Sequence, residues 1–328
     1  MLILAGDVGG TKTVLALFER GSAGLVKRRE AVFASREHDS LEEILRRFLA
    51  EGAGDGIPAA CLGVAGPVVA GRATTTNLPW QLCEEELARA SGIPRVRLLN
   101  DLEAMAHGLL VLSEGERAIL NRGTRGDRRA TIGVIAAGTG LGQAMLYWDG
   151  ERHRAVASEG GHGSFAPRDE EEDGLLRFLR REFGGHVSCE RVLSGPGLHN
   201  VYRFLREKSG EPEPGWLALR LAQEDPSAVV GEVGTAGSDP VCAQAVLRFA
   251  SIYGSEAGNL ALRQLALGGV MLGGGIAPKL LPALQRGGFL RAFTDKGRMA
   301  PLLAGIEVSV ALDPRAPLRG AAEVAARL

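Results

Sequence analysis

Two short turns rich in glycine and threonine, each enclosed by apolar runs, constrain most strongly what this chain can fold into. The first turn is the sequence GDVGGTK at residues 6–12, and the second is GTGLG at residues 138–142. Two apolar runs joined by a short glycine turn predict a β-hairpin. Because the pattern recurs about 130 residues further along the chain, it predicts two related halves that each open on a hairpin. Strand-like and helical patterns alternate elsewhere, which indicates α/β architecture.

The first turn has the chemistry of a phosphate site, although it is not a P-loop. A P-loop requires glycine directly before the lysine, and Thr11 stands there before Lys12. Adjacent glycines allow several backbone N–H groups to face one anion, and a carboxylate at Asp7 can hold Mg²⁺ through water. An ordinary glycine hairpin with Asp7 as a turn residue is the alternative. The candidate phosphate-binding residues of this turn are Gly6, Asp7, Val8, Gly9, Gly10, Thr11 and Lys12.

The second turn and a third glycine cluster extend the same chemistry. The second turn repeats the glycine–threonine pattern, and its glycine spacing does not match the dinucleotide fingerprint GxGxxG. The third cluster follows a short apolar run, and a simple strand-to-helix turn explains it as well. The candidate nucleotide-binding residues in these two places are Gly138, Thr139, Gly140, Gly273, Gly274 and Gly275.

Asn100 and Asp101 stand where a predicted strand ends and a helix begins. Ligands of α/β sheets bind at the carboxyl ends of strands, and phosphoryl transfer needs a carboxylate that accepts the proton of the attacking hydroxyl. Asn100 and Glu103 also fit a capping box, and Asp101 suits the first turn of a helix, so capping alone explains the pair as well. The two interpretations are compatible because a cap can orient the acid.

A glutamate and a histidine flank two glycines in residues 157–167, ASEGGHGSFAP. Carboxylate and imidazole groups suit the hydroxyls of a sugar, and the spacing of Glu159 and His162 allows both to face one pocket. A metal site is less favoured, because one histidine and one glutamate leave a tetrahedral zinc short of ligands. His186 and Cys189 lie further along without a CxC or CxxC partner.

In this order the motifs resemble the bacterial glucokinases, a family of the actin–Hsp70–hexokinase superfamily. The SEGGH and FAP segments are similar to that family in particular, as are residues 74–80 (TTTNLPW), 189–197 and 293–298 (FTDKGR). The resemblance covers nearly the whole chain, from residue 4 to about residue 320. It implies an α/β, two-lobed actin-like ATPase fold of the ribonuclease H-like type, with the active site in the cleft between the lobes.

The resemblance also implies roles for particular residues. Asp101 is the expected catalytic base, and Asn100 is expected to hold a sugar hydroxyl. The two hairpin turns correspond to the phosphate motifs of the superfamily, and the third glycine cluster corresponds to its adenosine motif. The expected substrates are ATP and D-glucose, with Mg²⁺ as cofactor, and family members are commonly homodimers. The other sugar-binding residues that the resemblance implies are Asn77, Glu159, His162 and Glu190.

One position departs from the family pattern. Lys12 stands where many of these glucokinases carry asparagine, and GGTK is closer to the ROK group of repressors, open reading frames and kinases. ROK members usually carry a cysteine-rich zinc motif just before the position of Glu190, where only Cys189 remains here. We therefore expect a glucokinase outside the ROK group, without zinc. A ROK-type kinase of another hexose or of an amino sugar is the alternative.

Two functions other than a kinase are less favoured. A sugar-responsive ROK regulator would need a DNA-binding domain before the first turn, and the turn already begins at Gly6. An actin-like or Hsp70-like ATPase would have no use for a cluster of sugar ligands such as Glu159, His162 and Glu190.

Composition and hydropathy limit the binding partners and the cellular compartment that we expect for this chain. Lys and Arg total 38 and Asp and Glu total 39, so a net charge of -1 leaves no basic excess for nucleic acid or an anionic membrane. No apolar stretch approaches the roughly 20 residues of a membrane span, and no basic leader precedes the first apolar run. The four cysteines form no CxxC pair, so we expect reduced thiols and a cytoplasmic protein.

The same patterns predict the domains and several elements. We expect a small lobe at residues 1–112 with a C-terminal return at 305–328, and a large lobe at 113–304. A serine followed three residues later by a glutamate predicts a capped helix at 40–50. Glycine, proline, serine and charged residues predict a loop at 223–240.

Overall fold

The structure is a computed structural model of the chain, and it describes a defined set of residues. These are 1–21, 24–52, 56–75, 78–124, 126–127 and 129–328. Asn77, which we predicted to bind sugar, lies outside the described residues.

The chain divides into two compact units. The first unit contains Met1–Ser113 and Asp313–Leu328, and the second contains Glu114–Leu312. The predicted domain boundaries differ from these units at Ser113 and, more substantially, over residues 305–312. The reason for the larger difference is that the strand Val308–Ala311 pairs with strands of the second unit.

The elements of the described residues are as follows. The strands are β1 (Leu2–Val8), β2 (Lys12–Gly21), β3 (Gly24–Ala34), β4 (Ala59–Val64), β5 (Val68–Val69), β6 (Arg72–Thr74), β7 (Gln81–Cys83), β8 (Arg95–Asn100), β9 (Arg117–Asn121), β10 (Ile132–Ala137), β11 (Leu141–Trp148), β12 (His153–Ser158), β13 (Gly269–Gly273) and β14 (Val308–Ala311). The helices are α1 (Leu41–Ala50), α2 (Glu84–Ser91), α3 (Asp101–Leu109), α4 (Glu170–Phe183), α5 (Gly195–Ser209), α6 (Gly215–Gln223), α7 (Pro226–Ala236), α8 (Pro240–Gln264), α9 (Ile276–Lys279), α10 (Leu281–Gln285), α11 (Gly288–Thr294), α12 (Ala300–Ala304) and α13 (Ala316–Ala325). Short 3-10 turns lie at Ser35–Glu37, Glu114–Glu116, Gly160–His162, Cys189–Arg191 and Gly297–Met299. Within the described ranges, no helix combines the length and the apolar character that a membrane span requires.

The main sheet of the first unit brings three strand ends to one edge. Its order in the described residues is β3-β2-β1-β4-β8, and β1, β4 and β8 are parallel. Val8 of β1 pairs with Val64 of β4, and Val64 pairs with Asn100 of β8. The turn of the first hairpin follows Val8, and Asp101 follows Asn100. The register therefore places the predicted phosphate turn and the predicted base at the same edge, where α/β sheets bind ligands.

Two glycines allow α13 to lie directly against α3. A Cβ on Gly320 would stand 1.8 Å from the carbonyl oxygen of Ala104, and a Cβ on Gly108 would stand 1.8 Å from that of Ala316. A larger residue fits neither position unless one helix moves away. This contact fixes the position of α3, whose first residue is Asp101.

The second unit repeats this arrangement of a hairpin and parallel strands around a larger core. Its sheet, in the described part of the chain, has the order β12-β11-β10-β13-β14-β9. Strands β10 and β11 form the second hairpin, and β10, β13 and β14 are parallel. Helix α8 lies in the core, where Phe249 and Tyr253 are fully buried. Each unit thus contains a glycine-turned hairpin continued by parallel strands, which confirms the internal repeat predicted from the two turns.

The loop predicted at 223–240 is wrong over most of its length, because α7 is a helix. Asp225 caps α7, and proline occupies its first turn, where the missing N–H costs nothing. Val229, Val230 and Val233 bury one face of the helix. The content of glycine and serine concealed an apolar helical stripe, and tertiary packing outweighs the weak intrinsic propensity of such a segment.

Candidate active site

The turn of the first hairpin is closed by its backbone and presents polar side chains outward. β1 ends at Val8 and β2 begins at Lys12, and the N–H of Gly9 donates to the carbonyl oxygen of Lys12 at 3.0 Å. Thr11 and Lys12 are exposed, whereas Gly9 and Gly10 are half-buried. The hydroxyl and ammonium groups that suit a phosphate are therefore accessible in this unit.

Asp7 lies one residue before the end of β1 and is half-buried. Burial raises the pKa of its carboxyl above the usual 3.8, although the cations of Lys12 and Arg315 partly oppose that shift. A divalent cation near this carboxylate would favour its charged form. Asp7 fits the usual protein site for Mg²⁺, in which one or two carboxylates act together with waters and substrate phosphates. Among the described residues, no group of three or more His, Cys, Asp or Glu side chains could hold a metal ion by itself.

Asn100 caps α3 and places Asp101 in the first helical turn. Side-chain oxygens of Asn100 and Asp101 each accept from the N–H of Leu102 at 2.9 Å. Glu103 completes the capping box by accepting from the N–H of Asn100 at 3.2 Å. The side-chain amide of Asn100 also donates to the carbonyl oxygen of Gly66 at 3.0 Å.

The predicted capping box is therefore confirmed, and it is compatible with chemistry at Asp101. A carboxylate in the first turn of a helix is stabilised in its charged form by the helix dipole. The cap also holds the backbone of Asp101 at the sheet edge that carries the first hairpin turn. A Cβ on Gly63 would stand 2.8 Å from the Cβ of Ala104, so β4 and α3 are in close contact below the acid.

The second hairpin and the third glycine cluster meet at one edge of the second sheet. Ala136 of β10 pairs with Gly273 of β13 in the parallel register. A Cβ on Gly274 would stand 2.3 Å from the carbonyl oxygen of Ala137, and the φ of Gly274 is +80°. Glycine alone tolerates both the contact and the left-handed backbone. The two candidate nucleotide motifs of this unit are therefore adjacent.

Contacts from the short segment at residues 190–195 hold both ends of the second turn. The N–H of Gly138 donates to the carbonyl oxygen of Gly140 at 2.9 Å, which closes the turn. The N–H of Gly195, at the start of α5, donates to the carbonyl oxygen of Gly138 at 2.8 Å. The N–H of Leu141 donates to the carboxylate of Glu190 at 2.9 Å. Glu190, which we predicted only as a sugar ligand, thus also supports the second turn.

The structure brings three of the predicted sugar ligands together around Leu141. A Cβ on Gly161 would stand 2.0 Å from the carbonyl oxygen of Leu141, so the segment that carries Glu159 and His162 packs directly on β11. Oε2 of Glu159 lies 3.7 Å from Nε2 of His162, and both side chains are exposed. Glu190 contacts the N–H of the same leucine. The arrangement presents two carboxylates and an imidazole beside the second hairpin.

Sequence patterns did not point to a buried polar contact behind this segment. Glu256 of α8 is 5% exposed and accepts from the side-chain amide of Gln143 at 2.9 Å. Glu256 also pairs with Arg263. The amide oxygen of Gln143 would stand 2.3 Å from a Cβ on Gly160, so the polar contact lies directly behind the candidate sugar segment. The signal that could have revealed it is a glutamate among the small, buried residues of α8.

The fold and the site together define a class of protein. Mixed sheets with glycine-turned hairpins, a capped aspartate at a strand end and a cluster of two carboxylates and an imidazole are the features expected of a sugar kinase with the actin-like ATPase fold. A solved structure of such a kinase, the glucokinase from an Antarctic psychrotroph, has a TM-score of 0.87 and 31% identity, and covers 100% of this chain and 99% of that one. The predicted fold class is confirmed.

The chain belongs to the glucokinase family, which matches residues 4–328. It is 41% identical over 344 residues to the glucokinase of Nostoc sp. strain PCC 7120, and the match covers 100% of this chain and 99% of that one. A ROK family glucokinase from Streptomyces griseus, solved in complex with glucose and AMPPNP, shares the fold with a TM-score of 0.68 at 22% identity, over 100% of both chains.

Proposed function

We propose that this chain transfers the γ-phosphoryl group of ATP to the 6-hydroxyl of D-glucose and releases ADP and glucose 6-phosphate. The observation that carries the proposal is the register of the first sheet, which sets Asp101 at the same edge as the first hairpin turn. A carboxylate base and a phosphate turn are two of the components that phosphoryl transfer to an alcohol requires. Membership of the glucokinase family over residues 4–328 supports glucose as the sugar.

Asp101 is the proposed general base. Its carboxylate takes the proton of the 6-hydroxyl as the hydroxyl oxygen bonds to the γ-phosphorus, and the bond from that phosphorus to the bridging oxygen breaks with its electron pair left on ADP. Phosphoryl transfer depends chiefly on positioning and on charge stabilisation. The capping box around Asn100 supplies the positioning, because it fixes the backbone on both sides of the acid.

The glycine-rich turns are the proposed nucleotide ligands. Backbone N–H groups of the first turn and the exposed ammonium of Lys12 face the polyphosphate, and the second turn contributes further N–H donors. The glycines at 273–275 provide a surface on which a nucleoside can pack closely. When bound, Mg²⁺ would neutralise part of the phosphate charge, and Asp7 would hold it through water.

Glucose hydroxyls are the proposed partners of Glu159, His162 and Glu190, with Asn77 and Asn100 as further sugar ligands. Carboxylates accept from two hydroxyls at once, which suits adjacent positions of a pyranose. The proposed enzyme is therefore an ATP:hexose 6-phosphotransferase of glycolysis. We also propose a cytoplasmic homodimer that does not use zinc, as the resemblance to bacterial glucokinases implies.

The experiment that tests this function is a coupled assay of ADP release with ATP and Mg²⁺ across several hexoses. We expect kcat/KM for D-glucose to exceed that for mannose and glucosamine at least about tenfold, because a site built for a hydroxyl rejects analogues that leave its polar groups unpaired. A higher kcat/KM for an amino sugar would favour the ROK-type alternative. ADP release with none of the hexoses would contradict the proposal.

A further inference from the structure

Ser35 contacts the first hairpin turn at several points although it lies on a different element. It begins the 3-10 turn that follows β3, and its side chain is fully buried. Its hydroxyl donates to the carbonyl oxygen of Gly9 at 2.7 Å. Its backbone N–H donates to the carbonyl oxygen of Thr11 at 3.0 Å. One residue outside the turn thus fixes two carbonyl groups inside it.

The hydroxyl of Ser35 also bonds to a second buried hydroxyl. Oγ of Ser35 lies 3.0 Å from Oγ1 of Thr13, which is itself fully buried. Because the single hydroxyl proton of Ser35 is directed to Gly9, Thr13 acts as the donor in this pair. The result is a short chain of hydrogen bonds that runs from Thr13 through Ser35 to the backbone of Gly9.

The two fixed carbonyls determine where the neighbouring N–H groups point. In a trans peptide, the C=O and the N–H of the next residue lie in one plane and point in opposite directions. A Gly9 carbonyl directed at Ser35 therefore directs the N–H of Gly10 away from Ser35. The Thr11 carbonyl does the same for the N–H of Lys12. Without the bond from the Ser35 hydroxyl, the peptide between Gly9 and Gly10 could rotate at little cost.

We infer that Ser35 is the positioning residue of the first phosphate turn. It holds the N–H groups of Gly10 and Lys12 so that they point away from Ser35, toward the side on which a nucleotide phosphate binds. The inference rests on the proposed function of the turn as a phosphate site, and it adds a residue that contacts no substrate. Ser35 acts through the backbone, because its own hydroxyl faces Gly9 and Thr13 in the interior of the first unit.

The test compares Ser35→Ala with Thr13→Val in the full-length protein. Ser35→Ala removes the bond to the Gly9 carbonyl, and we expect KM for ATP and Kd for ADP to rise about tenfold, the scale set by one buried acceptor that loses its partner. KM for glucose should stay within about twofold. Thr13→Val is nearly isosteric and breaks the same pair of hydroxyls, but it leaves the bond from Ser35 to Gly9 in place. We expect it to lower Tm without a change in KM for ATP beyond about twofold.

The outcomes separate a positioning role from a merely structural one. A Ser35→Ala protein that binds ADP as tightly as the wild type would overturn the inference. A loss of ATP affinity in both variants, in proportion to the loss in Tm of each, would also overturn the inference. If Ser35→Ala does not fold, Ser35→Cys replaces it, because cysteine keeps a weaker donor of similar shape. We expect this variant to give a smaller rise in KM for ATP and in Kd for ADP. An unchanged Kd for ADP in Ser35→Cys would overturn the inference as well. If the wild-type chain binds ADP but phosphorylates no hexose, the proposed function fails, and the Kd for ADP still decides the role of Ser35.

Discussion

Glu190 contacts the second hairpin turn and also lies beside the segment predicted to bind sugar. Its carboxylate accepts from the N–H of Leu141 at 2.9 Å. The segment that holds Glu159 and His162 packs on the carbonyl oxygen of the same leucine. A buried N–H that loses its acceptor carries the full cost of its desolvation. The carboxylate of Glu190 therefore holds the second turn at the residue on which the predicted sugar segment packs.

We predict that Glu190→Ala weakens the binding of both glucose and ADP, whereas His162→Ala weakens glucose alone. The expected cost for glucose is about 1–3 kcal/mol for each variant, which corresponds to one lost hydrogen-bonding partner. The expected loss for ADP in Glu190→Ala arises because the N–H of Leu141 no longer has an acceptor. Isothermal titration of each variant with glucose and with ADP measures both effects. Unchanged ADP affinity in Glu190→Ala would show that the contact with Leu141 is unimportant.

Only part of this site could be predicted at the level of residues. The short spacing of Glu159 and His162 is visible in the sequence, because only two glycines separate the two residues. The contact of Glu190 with Leu141 joins residues 49 positions apart. Such a contact depends on how β11 and the 3-10 turn at Cys189–Arg191 pack together, and no local pattern encodes it. Ser35 was missed for the same reason, since its partners lie in the first hairpin, more than 20 residues earlier in the chain.

At the scale of elements, local capping chemistry predicted helix starts well. The serine–glutamate pattern placed α1 correctly, and Oγ of Ser40 accepts from the N–H of Glu43 at 3.3 Å. The asparagine–glutamate pattern placed the start of α3 correctly. Helix α7 was missed because its stability comes from burying valines against the core of the second unit. Local propensity does not report that kind of stabilisation.

Asp239 joins the start of α8 to α5. It is 3% exposed, it accepts from the N–H of Cys242 at 2.8 Å, and it pairs with Arg206 at 2.8 Å. Burial alone would raise the pKa of this carboxyl, but the bonds from Cys242 and Arg206 outweigh burial and hold the pKa below the usual 3.8. Since folding lowers this pKa, the contribution to stability is complete above the unfolded value and is lost as pH falls through the folded value.

We predict that Asp239→Asn lowers the free energy of unfolding at pH 7 by about 1.5–3 kcal/mol, the range for a hydrogen bond to a charged group. Asparagine still caps α8, so the loss reports the pair with Arg206. The difference from the wild type should shrink as pH falls below about 4, because protonation of Asp239 removes the same pair. Urea unfolding from pH 7 to pH 3 measures this trend.

Glu207→Gln is the control for that series. Glu207 pairs with Arg181 on the exposed surface of α5, and the two side chains are 60% and 66% exposed. Exposed pairs contribute little, so the loss should stay below about 1 kcal/mol. A constant difference between Asp239→Asn and the wild type at every pH would rule out the titration of Asp239 as the cause.

At the scale of the whole molecule, the repeat of a glycine-turned hairpin predicted two related units. The repeat is visible in the sequence because both turns combine glycine with threonine between two apolar runs. The boundary between the two units near the C-terminal end of the chain was harder to predict. Strand β14 joins the sheet of the second unit through pairing with β13 and β9. An apolar run does not reveal which sheet it enters, because that depends on its partners.

We predict that the protein is indifferent to zinc. Burial raises the pKa of the Cys189 thiol to about 12, and Glu256 adds to the shift, whereas zinc requires a thiolate. Dialysis against EDTA followed by metal analysis and by assay with added Mg²⁺ measures the dependence. One tightly held zinc per chain, together with loss of activity on its removal, would instead place the protein with the ROK kinases.

The most direct test of the central claim is a comparison of Asp101→Asn with the wild type in phosphorylation and in glucose binding. Asparagine keeps a side-chain acceptor at the start of α3 but cannot take the proton of the 6-hydroxyl. We predict that kcat falls about 10²–10⁴-fold, the contribution of a general base, while glucose still raises Tm as it does in the wild type. Asp127→Asn, at an exposed aspartate that accepts from the N–H of Arg129 at 2.9 Å, is the matched control and should keep wild-type kcat. A kcat for Asp101→Asn within about threefold of the wild type would contradict the assignment of Asp101 as the base.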